Sequence, residues 1–205
     1  MKLDDDFAKK LMEAQLGSLN SIKGILQTIY YYVIDSKFYT RKKLNNFLED
    51  QLIDPSEEIV HLAKLLRKPT ADETIVNILK WVLDNFTYKR DIQNYNKTEY
   101  WATAEEAIER TQDDCDGMNG VVYILARLAG IPSYVLYSVI GTAGSGGHYW
   151  LVYWSTKCHK LVAIDATFYP RRISIKSRLP FALNDKYKNI WYIFNDKRIF
   201  SPRYK

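Results

Sequence analysis

The apolar residues of this 205-residue chain change their spacing once, close to Gly130. Before that point they recur at helical intervals. After it, short runs rich in Val, Ile, Tyr and Trp are separated by turn residues, which is typical of strands. A chain whose helices come first and whose strands follow is expected to place a helical layer against an antiparallel sheet. The sequence therefore predicts an α+β fold.

The predicted helices begin at residues that cap helix N-termini. Asp54 precedes a proline that suits the first helical position, and Thr70 stands three residues before Glu73, which is a capping-box pattern. Gly130 and Pro132 mark the end of the last helix. We predict helices over residues 6–34, about 55–67, about 70–85, 104–110 and 118–129.

Strands are predicted only in the second half of the chain. They cover residues 134–140, 148–154 and 161–166, with a further strand at 190–194. The glycine-rich stretch 141–147 is predicted to be a flexible loop between two strands. It is not expected to bind phosphate, because no helix and no lysine follow it directly.

The chain is long enough for one well-buried core with an appended segment. We expect a helical N-terminal extension over residues 1–69 and a core with a basic C-terminal tail over 70–205. Residues 171–205 hold ten Lys and Arg against two Asp, a balance of +8 within a total of +5. This tail is either a solvated surface or a docking surface, and residues 1–69 are a second place where a protein partner could bind. A nucleic-acid partner is not expected, because no recognition motif accompanies the charge.

The sequence contains no run of roughly 18 apolar residues that would span a membrane. Three consecutive acids follow Leu3, so the N-terminus does not resemble a secretory signal. Two cysteines give no disulfide framework and fit a reducing compartment. We therefore expect a protein that works inside the cell that makes it, or in a particle assembled there.

Cys115 directly precedes the apolar helix predicted at 118–129. A thiol at a helix N-terminus faces free backbone N–H groups and the positive end of the helix dipole, which favours a reactive thiolate. Three neighbouring acids, Asp113, Asp114 and Asp116, oppose that effect. A nearby imidazolium would offset them.

His148 lies 33 residues after Cys115, at the start of a predicted strand, and Asp165 lies 17 residues further on, in the next strand. If the connecting hairpin loop has an even number of residues, the residue numbers of two directly paired positions, one on each strand, add up to an odd number. His148 and Asp165 then face the same side of the sheet. Cys115, His148 and Asp165 therefore form a candidate set of nucleophile, base and orienting carboxylate for acyl transfer.

The other cysteine and the other histidines lack such surroundings. His61 lies in the N-terminal extension with no cysteine or acid that would orient it. Cys158 and His159 fall in the predicted hairpin turn, where we expect surface positions. A zinc site is not expected, because the sequence has neither Cys-x-x-Cys nor His-x-x-x-His spacing.

The run from Ile75 to Thr167 resembles the core of the transglutaminase-like superfamily. The segments that carry the resemblance are Ile78-Leu-Lys-Trp81, Phe86-Thr-Tyr88, Trp101-Ala-Thr-Ala-Glu-Glu106, Asp114-Cys-Asp116, Leu128-Ala-Gly-Ile-Pro132, Gly147-His-Tyr-Trp150 and Ile164-Asp-Ala-Thr167. The resemblance implies a papain-like α+β fold and thiol chemistry on amide bonds through an acyl-enzyme, without metal or organic cofactor. The family often has Gly before the Asp-Cys pair, where this chain has Asp113.

Two hypotheses of function follow. The first is a cysteine hydrolase or acyl transferase that acts on a peptide or isopeptide amide. Its oxyanion hole would combine the Cys115 backbone N–H with a side chain, for which Gln112 and Trp101 are the candidates. The second is a non-catalytic structural or adaptor module that keeps the fold and binds partners. Retention of Cys115, His148 and Asp165 favours the enzyme.

Overall fold

The computed structural model of the protein describes residues 41–144, 146–168, 175 and 187–200. Its helices are α1 (Arg41–Ile53), α2 (Glu57–Leu66), α3 (Ala71–Asn85), α4 (Asp91–Asn94), α5 (Ala104–Arg110) and α6 (Cys115–Leu128), and a 3₁₀ turn follows at Ser133–Val135. Its strands are β1 (Thr87–Tyr88), β2 (Gln112–Asp113), β3 (Leu136–Ala143), β4 (Gly146–Ser155), β5 (Lys160–Ile164), β6 (Tyr187–Phe194) and β7 (Ile199–Phe200). The helix predicted at residues 6–34 lies outside the described residues.

Five of the strands form one antiparallel sheet in the order β5-β4-β3-β6-β7. The helices cover one face of this sheet, and α6 lies at the centre of the interface. A single apolar cluster joins Ile78 of α3, Val122 of α6 and Leu151 of β4. The opposite face of the sheet carries a second, smaller cluster that contains Trp150 and Ile193. The predicted α+β fold is confirmed.

Helix α3 begins where its capping pattern predicts. The Thr70 hydroxyl accepts a hydrogen bond from the Glu73 backbone N–H, and the Glu73 carboxylate accepts one from the Thr70 backbone N–H. Two backbone donors that lack a partner within the helix are thereby satisfied. The same sequence signal that starts α3 also fixes Asp72 in its first turn.

Asp72 connects α3 to the hairpin between β4 and β5. Its buried carboxylate accepts hydrogen bonds from the Tyr153 hydroxyl (2.7 Å), the Ser155 hydroxyl (3.0 Å) and the Lys157 backbone N–H (2.8 Å). These contacts hold the far end of the hairpin against the helical layer. The two strands of that hairpin lead to His148 and Asp165.

Several predicted boundaries are wrong, each for a local reason. Helix α6 starts at Cys115 rather than at residue 118, because the Asp114 side chain caps it by accepting from the Asp116 backbone N–H. The loop predicted at 141–147 is mostly strand, since β3 continues to Ala143 and β4 begins at Gly146. Glycine lowers strand propensity, but a continuous hairpin register outweighs it here.

Helix α1 and the short strands β1, β2 and β7 were not predicted. Leu44 and Leu48 of α1 lie about one turn apart and are buried in the main cluster. Leu44 and Leu48 share that cluster with α6, and the division of the chain at residue 69 stays a prediction. Across the described ranges no helix is long and apolar enough to cross a membrane.

The C-terminal region contributes to the core. Strand β6 begins at Tyr187, three residues before the predicted start, and Tyr187, Trp191 and Tyr192 are all buried. These aromatic side chains therefore support the sheet. They do not form an exposed surface among the basic residues of the tail.

Candidate active site

Cys115 is the first residue of α6, and Asp114 is the residue that caps the helix. The side chain is half-buried, which leaves the nucleophile candidate partly open to solvent. The backbone N–H of Tyr149, the residue after His148, donates a hydrogen bond to the Cys115 sulfur. This contact places the sulfur against Tyr149 near the beginning of β4.

The electrostatic surroundings of Cys115 favour the neutral thiol. Burial raises the pKa of the Cys115 thiol well above its ordinary value, and the charges of Asp114 and Asp116 raise it further. The Tyr149 N–H acts in the opposite direction but is outweighed. A positive charge near the sulfur is therefore required for a stable thiolate.

His148 and Asp165 are in direct contact, because Nε2 of His148 lies 2.6 Å from Oδ2 of Asp165. The register of β4 and β5 pairs Leu151 with Ile164, so the sum of paired positions is odd, as the even-loop argument requires. Asp165 follows directly after β5 and lies on the same side of the hairpin as His148. An ionised carboxylate only accepts hydrogen bonds, so Nε2 carries the hydrogen and Nδ1 is left for a second partner.

Asp165 is completely buried and strongly hydrogen-bonded. Its Oδ2 also accepts from the Tyr187 hydroxyl at 2.9 Å. Its Oδ1 accepts from the Thr167 backbone N–H (2.8 Å), the Thr167 hydroxyl (2.9 Å), the Phe168 backbone N–H (3.1 Å) and the Asn119 side-chain amide (3.3 Å). Burial alone would raise the pKa of this carboxyl, but His148 and these donors hold the pKa well below its usual range. Asp165 is therefore a fixed anion.

Three aromatic rings pack near the His148 imidazole, those of Trp150, Tyr187 and Phe168. Trp150 and Tyr187 stack with their centroids 4.7 Å apart, and both rings are nearly parallel to the imidazole. The Phe168 ring, which is partly exposed, lies 5.7 Å from the imidazole in a tilted arrangement. The plane of the His148 ring is thus set by packing as well as by Asp165.

Asp113, which replaces the glycine frequent in the family, is fully buried. Its carboxylate accepts from the Tyr95 hydroxyl at 2.7 Å and from the Asp114 backbone N–H at 2.8 Å. Gly117 makes room for it, because a Cβ at position 117 would lie 2.1 Å from the Asp113 Cγ. Gly117, two residues after the start of α6, therefore leaves the space that the Asp113 side chain occupies.

Five carboxylates lie together next to Cys115, and we call them the acidic cluster: Asp91, Glu99, Asp113, Asp114 and Asp116. Oxygens of Asp91, Glu99 and Asp116 lie within 4.8 Å of one another, and so do those of Asp91, Asp113 and Asp114. Burial, followed by the charge of Asp114, raises the pKa of Asp91 to about 7. Burial also raises the pKa of Asp116 well above its usual range. The acidic cluster is the part of the described chain that could hold a cation.

Two oxygens of the acidic cluster are buried without a hydrogen-bond donor among the described residues. They are Oδ1 of Asp91 and Oδ2 of Asp116, and the two residues are only 4% and 8% exposed. Buried carboxylate oxygens without donors are costly unless a proton or a cation neutralises them. Oxygen-only ligand sets at this spacing suit Ca²⁺ or Mg²⁺.

The two oxyanion-hole candidates have different surroundings. Trp101 donates its ring N–H to Glu99 at 2.9 Å and packs edge-on against Tyr149. The carboxamide oxygen of Gln112 lies 3.5 Å from the Lys89 Nζ, which leaves its amide N–H groups as donors. Gln112 therefore has amide donors that this contact does not use.

The remaining candidates behave largely as predicted. His61 and His159 are exposed. Cys158 is half-buried and packs partly against the main cluster, so it is less exposed than expected. The Cys158 backbone N–H donates a hydrogen bond to the Ser155 hydroxyl at 3.1 Å.

Sequence reasoning missed two polar residues that contact Asp165. Asn119 is a fully buried amide in an otherwise apolar stretch of α6, four residues after Cys115. That placement could have indicated a site residue, because buried amides need partners. Tyr187 carries no comparable signal, since its contact with Asp165 depends on how β6 joins the sheet.

Comparison with known proteins gives the same family as the sequence motifs. The family model described as the transglutaminase-like superfamily matches residues 60–166. LapG of Legionella pneumophila is similar in structure, with 18% identity, 70% of this chain and 75% of that chain covered, and a TM-score of 0.55. Its EGTA-treated form gives 18% identity, coverage of 70% and 73%, and a TM-score of 0.55. A structure described as a TGase is 15% identical over 81% of this chain and 39% of that chain, with a TM-score of 0.40. A search of curated protein sequences finds no match.

Proposed function

Because this chain belongs to the transglutaminase-like superfamily, we propose that it is a cysteine hydrolase or acyl transferase that acts on peptide or isopeptide amide bonds. Cys115 is the nucleophile, His148 the general base and acid, and Asp165 the residue that orients His148. The proposal is supported by the 2.6 Å contact between His148 and Asp165 and by the hydrogen bond from the Tyr149 N–H, the residue after His148, to the Cys115 sulfur. The substrate is a peptide or protein.

In the first half of the reaction, Nδ1 of His148 takes the proton of the Cys115 thiol, and the sulfur attacks the amide carbonyl carbon. The tetrahedral intermediate then expels the amine, which leaves with the proton held by His148. A thioester to Cys115 and a free amine result. Asp165 stabilises the transient imidazolium through Nε2 without taking its proton.

In the second half, His148 removes a proton from water as the water oxygen attacks the thioester carbonyl. Collapse of this intermediate releases a carboxylic acid and returns the proton to the Cys115 sulfur. We propose water as the acceptor because Cys115 is only half-buried, so that solvent can reach the thioester. An amine in place of water would give transamidation through the same thioester.

The negative charge on the carbonyl oxygen requires hydrogen-bond donors in both halves. The Cys115 backbone N–H lies in the first turn of α6, where helix donors lack a partner within the helix. We assign the second donor to the amide of Gln112, since the Trp101 ring N–H is directed to Glu99.

We further propose that the acidic cluster binds a divalent cation, with Asp91, Asp114 and Asp116 as the principal ligands. The support is the pair of buried carboxylate oxygens without donors and their spacing within 4.8 Å of neighbouring carboxylates. A bound cation would supply positive charge that offsets the repulsion among these acids. The thiol chemistry of Cys115 and His148 needs no metal ligand of its own.

The test compares the two cysteines within one protein. Iodoacetamide at neutral pH is expected to alkylate Cys115 faster than Cys158 by about tenfold or more, because the proposal gives Cys115 a base, His148, that Asp165 orients. His148→Ala should remove this difference, whereas His159→Ala and His61→Ala should leave it unchanged. Mass spectrometry of the two cysteine peptides gives both rates.

Activity is then sought against a mixed peptide library, with products identified by mass. Wild-type protein should release new carboxyl termini, and Cys115→Ala should release none while Cys158→Ala remains active. Cleavage by Cys115→Ala would refute the assignment. Equal alkylation of both cysteines, with no cleavage, would favour the non-catalytic module.

A further inference from the structure

Helix α6 carries a completely buried amide side chain, that of Asn119. Its Nδ2 donates to the Tyr149 backbone carbonyl at 2.9 Å and to Oδ1 of Asp165 at 3.3 Å. Its Oδ1 accepts from the Ala166 backbone N–H at 2.8 Å. One amide side chain thus contacts both strand segments that carry the catalytic residues.

These contacts take the place of backbone hydrogen bonds that the β4–β5 pairing lacks beyond the end of β5. The pairing of Leu151 with Ile164 places Ala166 opposite Tyr149 if the register is continued, but β5 ends at Ile164. The Asn119 carboxamide lies between the two backbones and satisfies the Tyr149 carbonyl and the Ala166 N–H, as a neighbouring peptide group would. The Tyr149 N–H is then available to the Cys115 sulfur.

The position of Asn119 along α6 explains why its bridging amide matters for the candidate active site. Residues four apart lie on the same face of a helix, so Cys115 and Asn119 both face the sheet. Tyr149 follows His148 and Ala166 follows Asp165 directly. A single side chain therefore fixes the separation of the nucleophile helix from the base and from the orienting carboxylate.

We infer that Asn119 is a positioning residue that locks Cys115, His148 and Asp165 into one arrangement. This role rests on the function proposed above and adds a residue to it. Neither an aliphatic side chain nor aspartate can substitute. Leucine would leave two buried backbone groups unsatisfied, and aspartate would lose the donor and place a second negative charge beside Asp165.

Asn195 provides a matched control. It is 1% exposed, and its amide also bridges backbone segments, donating to the Ser133 carbonyl and accepting from the N–H groups of Lys197 and Arg198. Its contacts lie away from Cys115, His148 and Asp165. Asn195→Ala therefore measures the general effect of losing a buried bridging amide.

The experiment compares Asn119→Ala with Asn195→Ala in the full chain by three measurements. They are the thermal unfolding midpoint, the iodoacetamide rates of Cys115 and Cys158, and the proton NMR signal of the hydrogen on Nε2 of His148. Both variants should lower the midpoint. Only Asn119→Ala should lower the alkylation rate of Cys115, by about tenfold or more, and shift the His148 NMR signal. The alkylation rate of Cys158 should stay unchanged in both variants.

The role is overturned if Asn119→Ala leaves the Cys115 rate and the His148 signal as in wild type, or if Asn195→Ala changes them equally. Asn119→Asp, which keeps the side-chain volume, replaces Asn119→Ala if the latter does not fold and should show the same slowing. Failure of both variants to fold would also refute a role limited to positioning. If wild-type Cys115 reacts no faster than Cys158, the proposed function fails, but the His148 signal still decides the role of Asn119.

Discussion

Oδ2 of Asp165 lies 2.6 Å from Nε2 of His148 and accepts, at 2.9 Å, a second hydrogen bond from the Tyr187 hydroxyl. Oδ2 thus accepts two hydrogen bonds, while Oδ1 accepts hydrogen bonds from the backbone N–H groups of Thr167 and Phe168. Asp165 has little freedom to rotate. It therefore fixes both the hydrogen on His148 and the plane of the ring.

Asp165→Asn is expected to keep the fold and lose activity by on the order of a hundredfold or more. The asparagine oxygen can replace Oδ1, which accepts from Thr167 and Phe168, so its NH₂ group must face His148. Nε2 must then accept, which moves the hydrogen to Nδ1 and prevents Nδ1 from taking the thiol proton. The alkylation rate of Cys115 and the NMR shifts of the His148 nitrogens check this. Unchanged tautomer and unchanged rate would contradict it.

Tyr187→Phe is expected to lower the reactivity of Cys115, because Asp165 loses one of the two donors that fix Oδ2. The matched control is Tyr153→Phe, which removes a 2.7 Å hydrogen bond from an equally buried tyrosine to the buried Asp72. Both changes should cost about 1–2 kcal/mol in the free energy of unfolding. Only Tyr187→Phe should reduce alkylation of Cys115, by about threefold or more. Equal effects of the two variants on Cys115 would assign Tyr187 a purely structural role.

The site was predictable from the sequence where local rules decide it. The capping box at Thr70 gives the start of α3, and the odd sum of paired positions puts His148 and Asp165 on one side of the hairpin. Both follow from residues close together in the chain. Periodicity and turn signals are informative at that range.

The parts that the sequence did not reveal depend on contacts between distant segments. Asn119 reaches Asp165 across 46 positions and Tyr187 across 22, and neither contact has a periodic signature. From the sequence, Asp113, Asp114 and Asp116 are recognisable only as residues that disfavour the thiolate. Asp91 and Glu99, the other members of the acidic cluster, come from the segment before α5. Tertiary packing, rather than local propensity, brings these side chains to the site.

Gly117→Ala is expected to destabilise the protein by roughly 2 kcal/mol or more, because the new methyl group would overlap the buried Asp113 side chain. Asp113 would have to move and would lose its bond from the Tyr95 hydroxyl. Gly120→Ala in the same helix is the control, since a Cβ there meets nothing within 4 Å. That change should stabilise by about 0.5–1 kcal/mol through helix propensity alone. Denaturant unfolding of both variants measures the two effects, and a loss at Gly120 as large as that at Gly117 would refute the packing argument.

Asp91→Asn is expected to change stability in opposite directions with and without a divalent cation. The pKa of Asp91 is raised to about 7 in the folded chain, so the folded state holds a proton that the unfolded chain has released. In chelator, wild-type stability should therefore fall as the pH rises from about 4 to about 7, and remain low above that. Asparagine carries no charge, so the variant should escape this loss and exceed wild type at pH 8 by on the order of 1 kcal/mol.

Calcium is expected to make wild type more stable than Asp91→Asn, which reverses their order in chelator. Binding to the folded state stabilises wild type by about 2.7 kcal/mol when calcium is present at about 100 times its dissociation constant. Asp91→Asn, which lacks one ligand, should gain much less. Asp84→Asn, which removes an exposed carboxylate elsewhere, should respond to calcium as wild type does. Thermal unfolding of wild type, Asp91→Asn and Asp84→Asn at pH 8, each in EDTA and in calcium chloride, measures the six unfolding midpoints that this comparison needs. An equal calcium response in wild type and Asp91→Asn would mean that the acidic cluster does not hold the ion through Asp91.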